Sequence, residues 1–148
     1  MISKFVLFIY ISFSLSSCFV KKEKPEDVLR NFIGQQFSGN ISKNYLLKKT
    51  MGDLYKEYNE ISDDTFRKIY IDTKYKKRKF KIHFKRCNKK KCSITYSINY
   101  TIIKSRAGEA EVEVKKIATL MKVGESLWKI SNITNIKTYL EPEQIIVK

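Results

Sequence analysis

The sequence predicts an α+β domain in which two or three amino-terminal helices pack on one face of a bent four-stranded antiparallel sheet. Residues 25–70 show apolar side chains at helical spacing, whereas residues 74–136 show apolar and polar side chains in alternation. The two kinds of segment follow one another instead of alternating, which is typical of α+β proteins. With 148 residues, 43% of them hydrophobic, the chain is large enough for one domain with a core.

Three helix starts are predicted, at Pro25, Ser42 and Ser62. Proline suits the first helical position, and serine is a favourable N-cap. The apolar stripes are Leu29, Ile33 and Phe37 in the first helix and Leu47, Met51, Leu54, Tyr55 and Tyr58 in the second. Gly52 lies inside the second stripe, although an interior glycine costs about 1 kcal/mol relative to alanine.

A β-hairpin is predicted for residues 74–104, with Cys87 and Cys92 closing its tip. Its alternating apolar positions are Phe80, Ile82 and Phe84 on the first arm and Ile94, Tyr96, Ile98, Tyr100 and Ile102 on the second. Pairing Cys87 with Cys92 requires one register of the two arms. Pairing the apolar residues of the two arms requires a register that is shifted by one residue. We therefore expect a β-bulge between Lys85 and the tip loop, with Phe84 opposite Tyr96.

Two further strands are predicted after a turn around residues 105–108. Between Val114 and Ile117 the apolar alternation changes parity, which predicts a second bulge near Lys115. A turn at Gly124 leads into the last strand, and the single domain is expected to span residues 25–141. Residues 142–148 are expected to form a tail after the last regular structure.

The amino-terminal residues have the features of an export signal. Lys4 precedes an apolar run at residues 5–15, which is shorter than the roughly 20 residues that a membrane-spanning helix needs. The run ends in Leu15-Ser16-Ser17-Cys18, which resembles the lipobox of bacterial lipoprotein precursors. An ordinary secretory signal with an incidental cysteine is the alternative.

The lipobox resemblance implies a signal peptide at residues 1–17, cleavage before Cys18 and a diacylglyceryl group on that cysteine. Residues 18–24 would then be a lipidated tether, held in the membrane by two or three acyl chains such as palmitate. Phe19 is not the aspartate that retains some lipoproteins in the inner membrane. An exported, membrane-anchored lipoprotein is expected, in the outer membrane or at the cell surface if the cell has two membranes.

The other two cysteines predict a disulfide. With Cys18 lipidated, Cys87 and Cys92 are an even pair in an oxidising compartment. A structural zinc site is not expected, because it needs four Cys or His ligands and His83 is the only histidine. The sequence predicts neither a metal nor another cofactor.

Positive charge is concentrated in the hairpin. The net charge is +15, and residues 73–108 contain 13 Lys or Arg and no Asp or Glu. Such asymmetry predicts anionic partners, namely anionic lipid, lipopolysaccharide or an acidic wall polymer. The candidate binding residues are Lys79, Lys81 and Lys85 on the outward face and Lys89, Lys90 and Lys91 at the tip. The alternative is that these lysines only solvate an exposed sheet face.

The order of elements, with Gly124, Trp128, Lys129 and Ile130 at the last turn and strand, resembles the nuclear-transport-factor-like superfamily and its small bacterial lipoproteins. The order of elements also resembles that of cystatin-like folds. Enzymes of that superfamily hold an acid in an enclosed pocket. Here the strand acids Glu111 and Glu113 alternate with valines and are expected to point outward.

We therefore predict a lipid-anchored, non-catalytic binding or interaction module of the cell envelope. The alternative function is a small-molecule pocket, or an isomerase-like or dehydratase-like enzyme. Aromatic residues between lysines are also typical of single-strand nucleic-acid platforms, but export argues against a nucleic-acid partner.

Overall fold

The computed structural model describes residues 22–104 and 108–141 and confirms the α+β class. The helices are α1 (Pro25–Gln36), α2 (Lys43–Lys49), α3 (Gly52–Glu60) and α4 (Asp63–Arg67), followed by a π-helical turn (Lys68–Asp72). The strands are β1 (Tyr75–Cys87), β2 (Lys91–Lys104), β3 (Gly108–Val123) and β4 (Leu127–Glu141). The predicted signal peptide, Cys18, residues 105–107 and the predicted tail at residues 142–148 lie outside the described residues.

The strands form an open antiparallel meander in the order β1-β2-β3-β4. A short parallel contact extends the sheet beyond β4, where Thr50 forms an isolated bridge with Ile130. The amide of Met51 donates to the carbonyl of Ile130 over 2.9 Å. The segment between α2 and α3 is thereby fixed to the outer edge of the sheet.

The same contact explains why residues 22–104 contain four α-helices where two or three were predicted. Thr50 is extended, and its hydroxyl donates to the carbonyl of Leu46 over 2.8 Å, so the expected second helix breaks there. Gly52 has a φ of 60°, which favours glycine, and begins α3. The expected continuous stripe is therefore wrong, and Tyr55 is 42% exposed.

The core lies between the helices and one face of the sheet. The helices contribute Val28, Leu29, Phe32, Ile33, Leu46, Leu54, Tyr58 and Phe66, and the sheet contributes Cys92, Ile94, Tyr96, Ile98, Val112, Val114, Ala118, Leu120, Trp128 and Ile130. Ser42 and Ser62 cap α2 and α4, each accepting from an amide at 3.2 Å. The other sheet face, which we call the open face, carries Glu111 and Glu113, both exposed.

The bulge in β1 lies earlier than expected. Ile82 pairs with Tyr96 and Phe84 with Thr95, so His83 is the extra residue. The expected pairing of Phe84 with Tyr96 is wrong, and Phe84 is 62% exposed. A bulge at this position keeps Ile82 against the core while it lets the two cysteines face each other.

The expected parity change in β3 is also wrong. Residues 108–121 of β3 pair one to one with β2, and the two irregularities lie in β4. Ile136 is skipped between the partners of Lys115 and Lys116, and Ser131 is skipped between the partners of Thr119 and Leu120. Lys116 therefore shares the helix-covered face with Val114 and Ala118. Ile117 instead lies on the open face and is 38% exposed.

Candidate functional site

The hairpin tip is held by its cysteines and one asparagine. The sulfur atoms of Cys87 and Cys92 lie at bonding distance and their Cα atoms are 4.0 Å apart, which fits the predicted disulfide. The side-chain oxygen of Asn88 accepts from the amides of Lys90 and Lys91 at 2.9 and 2.7 Å. The amide of Asn88 donates to the carbonyl of Lys91 over 2.8 Å. The loop thus has a defined backbone from which the exposed lysines extend.

Lysines from three parts of the chain meet at this tip. Lys22, Lys89, Lys90 and Lys122 line one shallow depression together with Gly124 and Glu125. The amide of Lys122 donates to the carbonyl of Lys90 over 2.8 Å, which joins the β3–β4 turn to the hairpin. We call Lys22, Lys89, Lys90 and Lys122 the basic tip. Lys89 and Lys90 are among the predicted binding residues, and Lys91 lies beside them in the chain.

The lysines expected on the outward face do not form one surface. Lys79 and Lys81 are exposed on the open face, opposite Asn99 and Ser97. Lys79 shares a depression there with Glu111 and Glu113, so its positive charge has acidic neighbours.

Lys85 lies on the other side of the sheet, which corrects its expected position. The bulge at His83 reverses the parity of β1, so Lys85 pairs with Ile94 and its ammonium lies 2.9 Å from a carboxylate oxygen of Glu26 in α1. Burial alone would raise the pKa of Glu26, but the hydrogen bond from Lys85 holds that pKa below its ordinary value. Lys85 therefore fixes α1 to β1 and has its charge compensated.

The imidazole of His83 contacts a serine hydroxyl. Its Nε2 atom lies 2.8 Å from the hydroxyl of Ser97. Among residues 22–104 and 108–141, no three His, Cys, Asp or Glu side chains come together as metal ligands would. The geometry around His83 thus consists of a bulge and one hydrogen bond.

A second site, which sequence analysis did not select, lies between the helices and the sheet. It is a cavity of about 250 Å³ whose polar lining comprises the side chains of Gln36, Glu57, Tyr58, Tyr70, Tyr75, Tyr96, Tyr100 and Lys116. We call it the tyrosine pocket. Its walls come from α1, α3, the π-helical turn and all four strands.

The hydroxyl groups in the tyrosine pocket differ in their partners. The amide nitrogen of Gln36 donates to the hydroxyl of Tyr58 over 2.7 Å. The hydroxyl of Tyr96 is buried and has no hydrogen-bond partner among the described residues. Burial raises the pKa of both tyrosines above the ordinary value, so they are neutral donors at physiological pH.

Lys116 brings the only ammonium group in the lining of this pocket as described. Burial lowers the pKa of Lys116, and the nearby carboxylate of Glu57 partly opposes that shift. Lys116 pairs directly with Tyr96 across β2 and β3. Alternate positions of β3 are occupied by Val112, Val114, Ala118 and Leu120. One uninterrupted alternation through these residues would have predicted Lys116 on this face.

No family model matches the chain, and no curated protein matches it significantly. No helix within residues 22–104 and 108–141 is long and apolar enough to cross a membrane.

Proposed function

We propose that this protein is a lipid-anchored lipoprotein of the cell envelope and that its domain is a non-catalytic binding module. In this proposal the basic tip contacts the anionic surface of the membrane that holds the anchor. The observation that carries it is the position of Lys22, which lies beside Lys89, Lys90 and Lys122 at one end of the domain.

The length of the tether supports this orientation. Lys22 follows Cys18 by four positions, and four residues span at most about 14 Å when extended. A lipid on Cys18 would therefore keep the basic tip close to the headgroups. Electrostatic attraction acts over a Debye length of about 8 Å at physiological salt. Each lysine near an anionic surface contributes about 1 kcal/mol.

The other basic regions are less suited to an anionic surface. On the open face, Lys79 has Glu111 and Glu113 as neighbours. Lys85 is paired with Glu26. The depression at the basic tip is lined by its four lysines and by one acid, Glu125, and is thus the most strongly positive of these surfaces.

Vesicle binding tests this proposal. The protein beginning at Phe19 is mixed with phosphatidylcholine vesicles, with or without phosphatidylglycerol, over a salt series. We expect binding to the anionic vesicles only, with an affinity that falls as salt rises. Changing Lys89, Lys90 and Lys122 to Gln should remove most of this binding.

The matched control carries the same charge change on the open face, at Lys79, Lys81 and Lys115. It should bind anionic vesicles nearly as well as the unchanged protein. Equal binding to both kinds of vesicle, or an equal loss in the control, would show that the basic tip is not the contact surface.

A further inference from the structure

Tyr96 and Lys116 present two donors to the same cavity. They face each other on adjacent antiparallel strands, where directly opposed Cβ atoms lie about 4.5–5.5 Å apart. Both side chains line the tyrosine pocket. A ligand in that pocket therefore lies against both side chains.

Within the part of the chain that the structure describes, neither donor has a strong partner. The Tyr96 hydroxyl is fully buried without a hydrogen bond among the described residues, which is unfavourable for a folded protein. The carboxylate of Glu57 also lines the pocket and interacts electrostatically with Lys116, but the Glu57 side chain is exposed, so solvent screens its charge. An acceptor with negative charge would satisfy both donors.

The rest of the pocket favours a flat ring. Aromatic side chains surround it, and Phe37 contacts Tyr75 and Tyr100 with ring centroids 4.7 and 5.0 Å away. Such rings attract further aromatic groups in tilted or edge-to-face contacts. The volume of about 250 Å³ sets the size, since a cavity of about 150 Å³ accepts benzene. One ring with a small substituent fits.

We propose that the tyrosine pocket binds a single-ring aromatic carboxylate. Its carboxylate lies between the ammonium of Lys116 and the hydroxyl of Tyr96, and its ring lies among the other tyrosines. A ring that carries a cation is disfavoured, because the repelling ammonium of Lys116 is less exposed to solvent, and therefore less screened, than the attracting carboxylate of Glu57. This site is independent of the basic tip and of the membrane contact proposed above.

Calorimetric titration of the protein beginning at Phe19 tests this proposal without any membrane. The probes are benzoate, benzyl alcohol and benzylamine, which share the ring and differ in charge. We expect benzoate to bind at least tenfold more tightly than benzylamine, with benzyl alcohol between them.

Two single changes and one control locate the site. Lys116→Met and Tyr96→Phe should each weaken benzoate binding about tenfold, because each removes a hydrogen bond to a charged group. Lys115→Met is the matched control, since Lys115 directly precedes Lys116 in the chain and lies exposed on the open face. It should leave benzoate affinity unchanged. Circular dichroism checks that each variant is folded.

Several outcomes would overturn the proposal. Absence of benzoate binding at millimolar concentration would do so, as would equal affinity for benzoate and benzylamine. An equal loss of affinity in Lys115→Met would also overturn the proposal, because the net positive charge of the protein would then explain the binding. None of these results depends on vesicle binding, so the two proposals fail separately.

Discussion

The most informative single residues are the two polar side chains on the helix-covered face of the sheet. Tyr96 and Lys116 occupy positions where an apolar residue would pack without loss of hydration, whereas a buried hydroxyl or ammonium is unfavourable unless it is paired. Residues that bind a ligand commonly reduce the stability of the unliganded protein. Stability measurements on these two residues therefore bear on whether the pocket is functional.

Tyr96→Phe should stabilise the unliganded protein by about 1 kcal/mol, because the ring is kept and an unpaired buried hydroxyl is removed. Tyr58→Phe is the control, because the Tyr58 hydroxyl accepts a hydrogen bond from Gln36. It should destabilise the protein by about 1 kcal/mol. Urea unfolding measures both. Equal destabilisation in the two variants would mean that Tyr96 has a partner within the protein.

Lys116→Met should also stabilise the protein at neutral pH, by about 0.5–1 kcal/mol, because it removes a desolvated ammonium. The pKa of Lys116 is lowered from 10.5 in the folded protein, so the folded state loses this proton at a lower pH than the unfolded state does. The unfavourable contribution is complete below the folded pKa and disappears as pH rises towards the unfolded pKa.

The stability difference between Lys116→Met and the unchanged protein should therefore be largest at pH 7 and decrease in alkaline solution. Urea unfolding at several pH values measures it, with Lys115→Met as the reference. A difference that stays constant or grows with pH would contradict the burial of the Lys116 ammonium.

For the elements, sequence patterns predicted the class and the main boundaries, because these depend on local signals. The serine caps at Ser42 and Ser62 and the strand alternation are such signals. The break at Thr50 was missed, because it depends on a contact with Ile130, 80 positions later in the chain.

Register was the other element-scale property that sequence could not predict. A bulge at any of several positions in β1 would place Cys87 opposite Cys92 and still give an apolar inner face. Packing against the helices favours the bulge at His83. That choice moved Lys85 to the helix-covered face and Phe84 to the open face. In β3, the predicted parity change would turn Lys116 away from the core. The polar end of the tyrosine pocket was therefore not predicted.

The disulfide is predicted to stabilise the tip and not the whole domain. It closes a short loop, with a sequence separation of 5, so its effect on the unfolded chain is about 2 kcal/mol. Mass spectrometry should show a 2 Da increase on reduction, from two hydrogens. Hydrogen exchange should then become faster at the amides of Lys90 and Lys91, which donate to Asn88, while β2 and β3 stay protected. Global loss of protection would contradict this.

At the scale of the whole molecule, the two proposed sites lie at different places along the sheet. The basic tip lies where β1 meets β2, at Cys87 and Cys92. The tyrosine pocket extends along β2 from Tyr96 to Tyr100, four to eight residues further, which corresponds to about 13–27 Å. A domain held by its basic tip on a membrane would therefore keep the tyrosine pocket away from the headgroups. This arrangement depends on an anchor at the same end as Lys22.

The anchor itself gives the last prediction. If Cys18 carries lipid, the mature protein should partition into the detergent phase, and Cys18→Ala should move it to the aqueous phase. The physical reason is that each buried methylene of an acyl chain contributes about 0.8 kcal/mol, whereas a few lysines cannot hold a protein in uncharged detergent. The matched control changes the other two cysteines, Cys87 and Cys92, to Ala and should stay in the detergent phase. Mass spectrometry of the unchanged protein should show an amino-terminal fragment that begins at Cys18 and carries the acyl groups. Detergent partition of Cys18→Ala equal to that of the unchanged protein would contradict the lipid anchor.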